Sequence, residues 1–308
     1  MTTILVTGAT GTVGNEVVKQ LVSHHSSSNR NNNIVVRAAV HSEDKADKFK
    51  IYDKSVEIVN LDYNKPETIV AALNHVDKLF LLTLPSPDME LYSNVVKEIR
   101  KYKSSISHIV KLSSMAAAND GEEETALKTI IGRIHRGEEK IIEESGIPFT
   151  FLRPPAFMQN FITQFGYTMR THNAFYIPGG DAKISFVDVR DVAAVSVKAL
   201  TGNDNQQQHI GKSYTITAEE AISYRQAAEI LSKEAGRRIS YVDIPEQEAR
   251  EGLKENAMDD WLVDAIMEFY SIIKSGRASQ TTNVFEQVMA RKPISFSQFA
   301  KDYAEFFR

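Results

Sequence analysis

Through the first half of the chain, short apolar runs alternate with longer stretches whose apolar residues recur every third or fourth position. The runs at 3–7, 34–40, 56–59, 77–83, 107–112 and 149–152 predict strands. Between the first two, Val13, Val17 and Leu21 stand four residues apart, so the spacing predicts a helix over 12–23 with one apolar stripe turned to a sheet. Strands separated by such helices build an α/β fold, a doubly wound parallel sheet with helices on both faces.

Polar segments punctuate this pattern. His24-His25-Ser26-Ser27-Ser28-Asn29-Arg30-Asn31-Asn32-Asn33 offers nothing to a core and reads as a swollen surface loop, and residues 116–124 as a second loop. A turn falls at Tyr176-Ile177-Pro178-Gly179-Gly180, and the stretch from Ile184 to Val192 reads as a strand entering an Asp-capped helix. Beyond 217 the pattern is helical, with Trp261, Phe269, Tyr270, Phe285, Phe296, Phe299, Tyr303, Phe306 and Phe307 as apolar anchors of a small, mainly helical lobe.

Composition narrows the function. A chain of 308 residues, 42% hydrophobic and 25% charged, can bury one large core or a core with a second lobe. A net charge of -4 and a pI near 6.1 give no general attraction to nucleic acid or to an anionic membrane. Cysteine is absent, which excludes disulfides, thiolate zinc, iron–sulfur clusters and a cysteine nucleophile, and no metal site is expected. The N-terminus lacks the pattern of a secretory leader and no stretch reaches about 18 apolar residues, so the expected place is the cytoplasm or the nucleus.

The chemistry begins at Gly8-Ala9-Thr10-Gly11-Thr12-Val13-Gly14, directly after the first strand and opening the first helix. In that context glycines permit a tight turn, let backbone N–H groups approach a pyrophosphate and let the helix pack close to the sheet, so all seven residues are expected to hold a dinucleotide in a Rossmann fold. An acid at the end of the second strand would bind a ribose hydroxyl and repel a 2′-phosphate. This chain has Val40-His41-Ser42 there, with Lys45 close by and Glu43 and Asp44 between. His41 and Lys45 are the expected adenosine-end contacts, and NADP(H) is favoured modestly over NAD(H).

Ile4-Leu5-Val6-Thr7-Gly8-Ala9-Thr10-Gly11, Val110-Lys111-Leu112-Ser113-Ser114 and the run from Gly146 to Pro154 resemble the opening, fifth and sixth strands of the NmrA-like proteins, an atypical branch of the short-chain dehydrogenase/reductase superfamily. The resemblance continues through Phe157-Met158-Gln159-Asn160, residues 187–193 and Phe296-Ser297-Gln298-Phe299. It implies a dinucleotide-binding Rossmann domain over 1–155 with a returning strand–helix segment at 183–216, and a substrate or cap lobe over 156–182 and 217–308. Members of the family include reductases of small molecules and proteins that bind dinucleotide only to report redox state to a regulatory partner.

Orthodox members of the superfamily use Tyr-x-x-x-Lys as the proton source. Here the corresponding place before the sixth strand holds His135-Arg136-Gly137-Glu138-Glu139, and the chain is read as lacking the pair. His135 replaces the tyrosine and Glu139 the lysine, a slot that isoflavone-reductase-like enzymes fill with lysine. Either His135 passes a proton, with Glu139 holding its tautomer or raising its pKa, or the two form a helix-surface pair beside the cofactor. By the same resemblance Asp62 contacts adenine, or else caps a helix over 65–74. Thr83, Leu84 and Pro85 face the cofactor, or else turn the strand. Phe157 and Asn160 line the substrate, and Arg153 closes over it, or else pairs with Asp188 or Asp191. The expected function is NADP(H)-dependent oxidoreduction of a quinone-like or other small acceptor. The alternative is a non-catalytic redox sensor that binds NAD(P) and controls a transcriptional or developmental partner.

Overall fold

Seven strands form one parallel sheet in the order β3-β2-β1-β4-β5-β6-β7. They are β1 (Thr2–Val6), β2 (Ile34–Val40), β3 (Val56–Asn60), β4 (Lys78–Leu81), β5 (His108–Leu112), β6 (Phe149–Leu152) and β7 (Lys212–Tyr214). The accompanying helices are α1 (Thr12–Ser27), α2 (Pro66–Leu73), α3 (Met89–Lys101), α4 (Ile130–Ser145) and α5 (Val189–Thr201). The computed structural model describes residues 1–27, 34–83, 89–101, 105–117, 129–202 and 206–308. The predicted loops at 24–33 and 116–124 therefore lie largely outside the described residues.

The pleat decides which side chains meet which helices. Leu5, Ala39, Leu79, Leu81, Ile109 and Phe151 form one core with Ile69, Ala72 and Leu73 of α2, Val95, Val96 and Ile99 of α3, and Ile142 of α4. Ile4 and Val6 alternate to the other face and are fully buried. Helix α1 packs on β1 and β2 and buries the predicted stripe of Val13, Val17 and Leu21. Strand β1 has β2 on one side and β4 on the other, so the order of strands reverses at the carboxyl end of β1. In open parallel sheets that reversal opens the crevice where ligands bind.

The chain divides into two units, Met1–Leu127 with Ile131–Arg153 and Val192–Tyr214, and Lys128–Ile130 with Pro154–Asp191 and Thr215–Arg308. The second unit is mainly helical, with two small sheets, Ala174–Ile177 beside Ser240–Asp243 and Lys183–Ile184 beside Ile222–Ser223. Its core is aromatic: Phe161 meets Phe175, Phe186 and Phe296 edge to face at centroid distances of 5.5, 5.3 and 5.0 Å. The predicted segment 183–216 is shared between the units: Lys183–Ile184 pairs outside the main sheet, whereas β7 joins it. Asp188 caps α5, its Oδ1 accepting from the backbone N–H of Arg190 at 2.8 Å. No described helix is long and apolar enough to cross a membrane.

Candidate functional site

Each glycine of the turn after β1 has a separate physical reason. Gly8 has φ +59, the left-handed region, and a Cβ there would lie 2.8 Å from a methyl of Leu82. Gly14 brings α1 so close to the turn that a Cβ would sit 2.2 Å from the Gly8 carbonyl oxygen. Gly11 differs: among the described residues its Cβ would meet only that same oxygen, at 3.3 Å, with nothing else within 4 Å. Two glycines thus serve the fold, and the third keeps a side of the turn open. The Gly11 N–H donates to Gly8 O at 2.9 Å, which closes the turn, while the first N–H groups of α1 have no acceptor within the helix.

The strand ends beside this turn are locked together. Thr7 Oγ1 donates to Leu82 O at 2.9 Å and accepts from Leu82 N–H at 2.7 Å, which ties β1 to the exit of β4. One residue further on, Thr83 is buried, and its Oγ1 has no hydrogen-bond partner among the described residues. A buried hydroxyl without a partner is costly, and at this strand end it marks a position that a polar ligand would satisfy. Leu84 and Pro85, predicted beside it, lie outside the described residues.

At the end of β2 the His41 side chain is 69% exposed, its Nε2 3.9 Å from Asp62 Oδ2. Lys65 Nζ reaches the same oxygen at 3.6 Å, and Lys45 is exposed. Asp62 does not cap α2: its Oδ1 accepts from the N–H of Asn64 at 3.0 Å, and this bond holds its carboxyl below the usual range. The cause is local, since Thr68 Oγ1 already joins the loop to the helix by donating to Asp62 O and accepting from Asp62 N–H. Ser42 donates to Asp44, so that hydroxyl faces a carboxylate. Lys48 is a residue that sequence reading missed. From the 3-10 segment Glu43–Ser55 its Nζ reaches Thr10 O at 2.5 Å, which places an ammonium on the glycine turn itself.

The place before β6 is rebuilt by the structure. Ile109, Lys111 and Ser113 alternate onto the face of β5 that α4 covers, and α4 meets them with Ile142, Glu138, His135 and Glu139. Lys111, fully buried, pairs with Glu138 Oε2 at 2.7 Å and donates to Leu112 O at 2.9 Å. His135 Nδ1 lies 3.3 Å from both Lys111 Nζ and Glu138 Oε2. The carboxylate beside His135 is therefore Glu138, three residues on, and not the predicted Glu139; one residue along a helix is a rotation of about 100°. Glu139 turns instead to Ser113, whose Oγ donates to Oε1 at 2.6 Å, and to Arg153, with Nε–Oε1 at 2.9 Å and Nη2–Oε2 at 2.6 Å. Arg153 is thus committed to Glu139. Asp188 pairs with Arg190, and Asp191 with Arg291 and the N–H of Ile294.

The electrostatics also differ from expectation. Burial, followed by the neighbouring Lys111 charge, lowers the pKa of His135, so of the two effects expected of a carboxylate partner, holding the tautomer or raising the pKa, the second is not found. Burial opposes ionisation of Glu138, but Lys111 and His135 outweigh it and push its carboxyl down to about 2. Nothing in chain order announces Lys111 and Glu138 as partners. The available signal was a lysine inside an apolar strand run and an acid inside the buried stripe of a helix, each of which needs an opposite charge.

Contrary to the expectation that the pair is lacking, the chain contains one Tyr-x-x-x-Lys spacing, Tyr270 and Lys274, on the helix Asp260–Lys274 of the second unit. Burial pushes the Tyr270 phenol up to about 12, and Lys274 pairs with Glu246 at 2.7 Å. A catalytic tyrosine needs the opposite shift, so these two residues do not form the proton-donating pair. Phe157 and Asn160 also lie in the second unit, half-buried; Phe157 bridges Val187, and Asn160 opens the short helix Asn160–Thr163.

A doubly wound parallel sheet with a three-glycine turn at its reversal point defines the class of dinucleotide-binding Rossmann proteins. The chain belongs to the NmrA-like family, whose model matches residues 1–306. It is 31% identical over 307 residues to the NAD(P)H azoreductase of Xenophilus azovorans, covering 99% of both chains. Among solved structures it resembles the triphenylmethane reductase of Citrobacter sp. in complex with NADP(H), with a TM-score of 0.77 and 23% identity over 98% of this chain and 99% of that one. The NADPH-dependent quinone oxidoreductase of Escherichia coli, in complex with NADPH, superimposes with a TM-score of 0.77 and 21% identity over 97% and 99%.

Proposed function

We propose that this protein is an NAD(P)H-dependent oxidoreductase that reduces a small acceptor of the quinone or azo class, with NADPH preferred over NADH. The observation that carries the reading is the intact glycine turn, in which Gly8 and Gly14 are required by packing while Gly11 leaves one side open. The pyrophosphate would lie over residues 8–14 against the first N–H groups of α1, with Lys48 beside Thr10, and Thr83 Oγ1 would find its partner there. His41, Lys45 and Lys48 bring cationic or protonatable groups toward the adenosine end and support NADPH, although Asp44 and Asp62 stand nearby. The names of the azoreductase relative and of the quinone oxidoreductase neighbour support these acceptor classes, and the complexes of the two neighbours with NADP(H) and NADPH support the cofactor class.

When bound, the nicotinamide supplies the hydride. His135 is the residue we assign to the acceptor, as a hydrogen-bond donor to the atom that gains negative charge, with water completing protonation of quinone-like acceptors. Glu139 acts through Arg153 and Ser113 to hold α4 in place. The test is to mix purified protein with NADPH and then NADH across quinones, azo dyes and carbonyl compounds, following cofactor oxidation beside calorimetric binding. Oxidation with at least one acceptor class is the expected result. Binding without oxidation of any acceptor would replace this reading with a redox sensor acting on a protein partner. Absence of dinucleotide binding would remove both.

A further inference from the structure

Lys111 lies in the middle of β5, fully buried, on the face covered by α4. An ammonium carries three protons and has no lone pair. Around Lys111 Nζ stand three acceptors: Glu138 Oε2 at 2.7 Å, Leu112 O at 2.9 Å and His135 Nδ1 at 3.3 Å. The Leu112 carbonyl takes one proton by a hydrogen bond, and the Glu138 carboxylate faces the ammonium as an ion pair. The third has a partner only if Nδ1 presents its lone pair, and a proton on Nδ1 would set two donors against each other in a buried site. Nδ1 is also 3.3 Å from Glu138 Oε2, but that contact lacks hydrogen-bond geometry, both Glu138 oxygens having no hydrogen-bond partner among the described residues, whereas the Lys111 Nζ–His135 Nδ1 contact has it.

We infer that Lys111, anchored by Glu138, is a positioning residue that fixes His135 as the neutral tautomer with its proton on Nε2. This rests on the reading of His135 as the residue facing the acceptor, and it states the form in which His135 acts: a neutral N–H donor, not an imidazolium acid.

The surrounding charges agree with this form. Lys111 and Glu138 together are neutral, so a protonated His135 would leave one net positive charge buried beside an ammonium. Glu139, the acid next to Glu138 on α4, is committed to Arg153 and Ser113, with Arg136 Nη1 a further 3.6 Å neighbour. From the loop after β3, Tyr63 is also close enough to Glu138 to feel its charge. Burial pushes its phenol up to about 12, and its hydroxyl donates to Leu82 O, so it carries no charge near neutral pH. The fall in His135 pKa by burial and by Lys111 follows from the same arrangement.

The test is nitrogen NMR of the full-length protein labelled in its eight histidine rings, with His135 assigned by comparison with His135→Gln. Between pH 6 and 9 the expected spectrum has an unprotonated, pyridine-like Nδ1 and a protonated Nε2. A proton on Nδ1, or an imidazolium at pH 7, would overturn the inference. In Lys111→Met the same ring faces Glu138 without the ammonium, so His135 should titrate about one to two pH units higher and place a proton on Nδ1. If folded Lys111→Met keeps the tautomer and titration of the wild type, Lys111 does not set them and the inference fails. If this variant does not fold, the wild-type spectrum decides alone. The spectra need neither cofactor nor acceptor, so a protein that proves unable to reduce anything overturns the proposed function and leaves the tautomer result standing.

Discussion

Glu139 and Arg153 form a two-pronged ion pair, Nε to Oε1 at 2.9 Å and Nη2 to Oε2 at 2.6 Å, with the carboxylate fully buried. It joins α4 to the exit of β6, and Ser113 extends it to the exit of β5. Breaking a buried pair from one side strands the other charge. Glu139→Gln and Arg153→Met should each cost about 3 kcal/mol, and the double variant less than their sum, because no lone charge remains. Urea titrations of the three variants check this. A loss of turnover at unchanged stability would instead give Glu139 a direct chemical role.

The glycine turn separates folding from binding. Gly11→Asp should leave the melting temperature nearly unchanged and abolish dinucleotide binding, since its Cβ meets only one atom among the described residues and its charge opposes the pyrophosphate. Gly14→Ala should destabilise the protein strongly, because its Cβ would overlap the Gly8 carbonyl at 2.2 Å. Calorimetry with NADPH and thermal melts on both variants read the two effects independently.

His41→Asp should move preference toward NADH. It adds a carboxylate beside Asp62, whose Oδ2 lies 3.9 Å from His41 Nε2, and paired carboxylates repel a 2′-phosphate while accepting from a free ribose hydroxyl. Lys48→Ala should weaken both cofactors, with NADPH losing more. The ratio of the two dissociation constants is the observable; a ratio unmoved in both variants would place the adenosine end elsewhere.

Stability should fall as the pH drops below about 6.5. His108, fully buried and hydrogen-bonded to Thr150 at 2.9 Å, has its pKa pushed down to about 4 by burial first and by Lys78 second. Its folded value lies below the unfolded one, so the unfolded chain binds the extra proton. The contribution is complete above pH 6.5 and is lost as the pH falls toward about 4, up to about 3 kcal/mol in all. Glu138, also depressed, continues the loss from about 4.5 toward about 2. His108→Gln should flatten the upper part of that profile and leave the lower part, as denaturant midpoints across pH would record.

His135→Phe should lower kcat roughly 10²–10⁴-fold on acceptors that take a hydrogen bond from the protein, with cofactor affinity little changed. Because the wild-type ring is held neutral, no basic limb near pH 6.5 is expected in its rate profile. Turnover of the variant equal to wild type on every acceptor would remove His135 from the reaction.

Local chain order determined the first half of the architecture and the cofactor turn. The strand, the glycines and the opening of α1 are contiguous over residues 2–27, and their roles follow from backbone geometry within that stretch. The strand runs were legible because a buried parallel sheet demands continuous apolar residues: β1 to β6 each fall within two residues of the predicted position at either end, whereas the short edge strand β7 was not predicted. The NmrA-like resemblance was likewise carried by contiguous motifs at the strand ends.

The tertiary structure alone decided who pairs with whom. Lys111 and Glu138 are 27 residues apart, and only the pleat of β5 together with the rotation of α4 brings them to 2.7 Å. The same rotation gives His135 the carboxylate of Glu138 and sends Glu139 to Arg153, a swap that chain spacing could not reveal because positions three and four residues on are both neighbours on a helix. Lys48 reaches Thr10 across 38 residues for a similar reason: the 3-10 segment after β2 returns over the turn after β1. Sequence fixes which groups are available. Burial, and the requirement that each buried charge find a partner, selects among them, and that selection exists only in the folded chain.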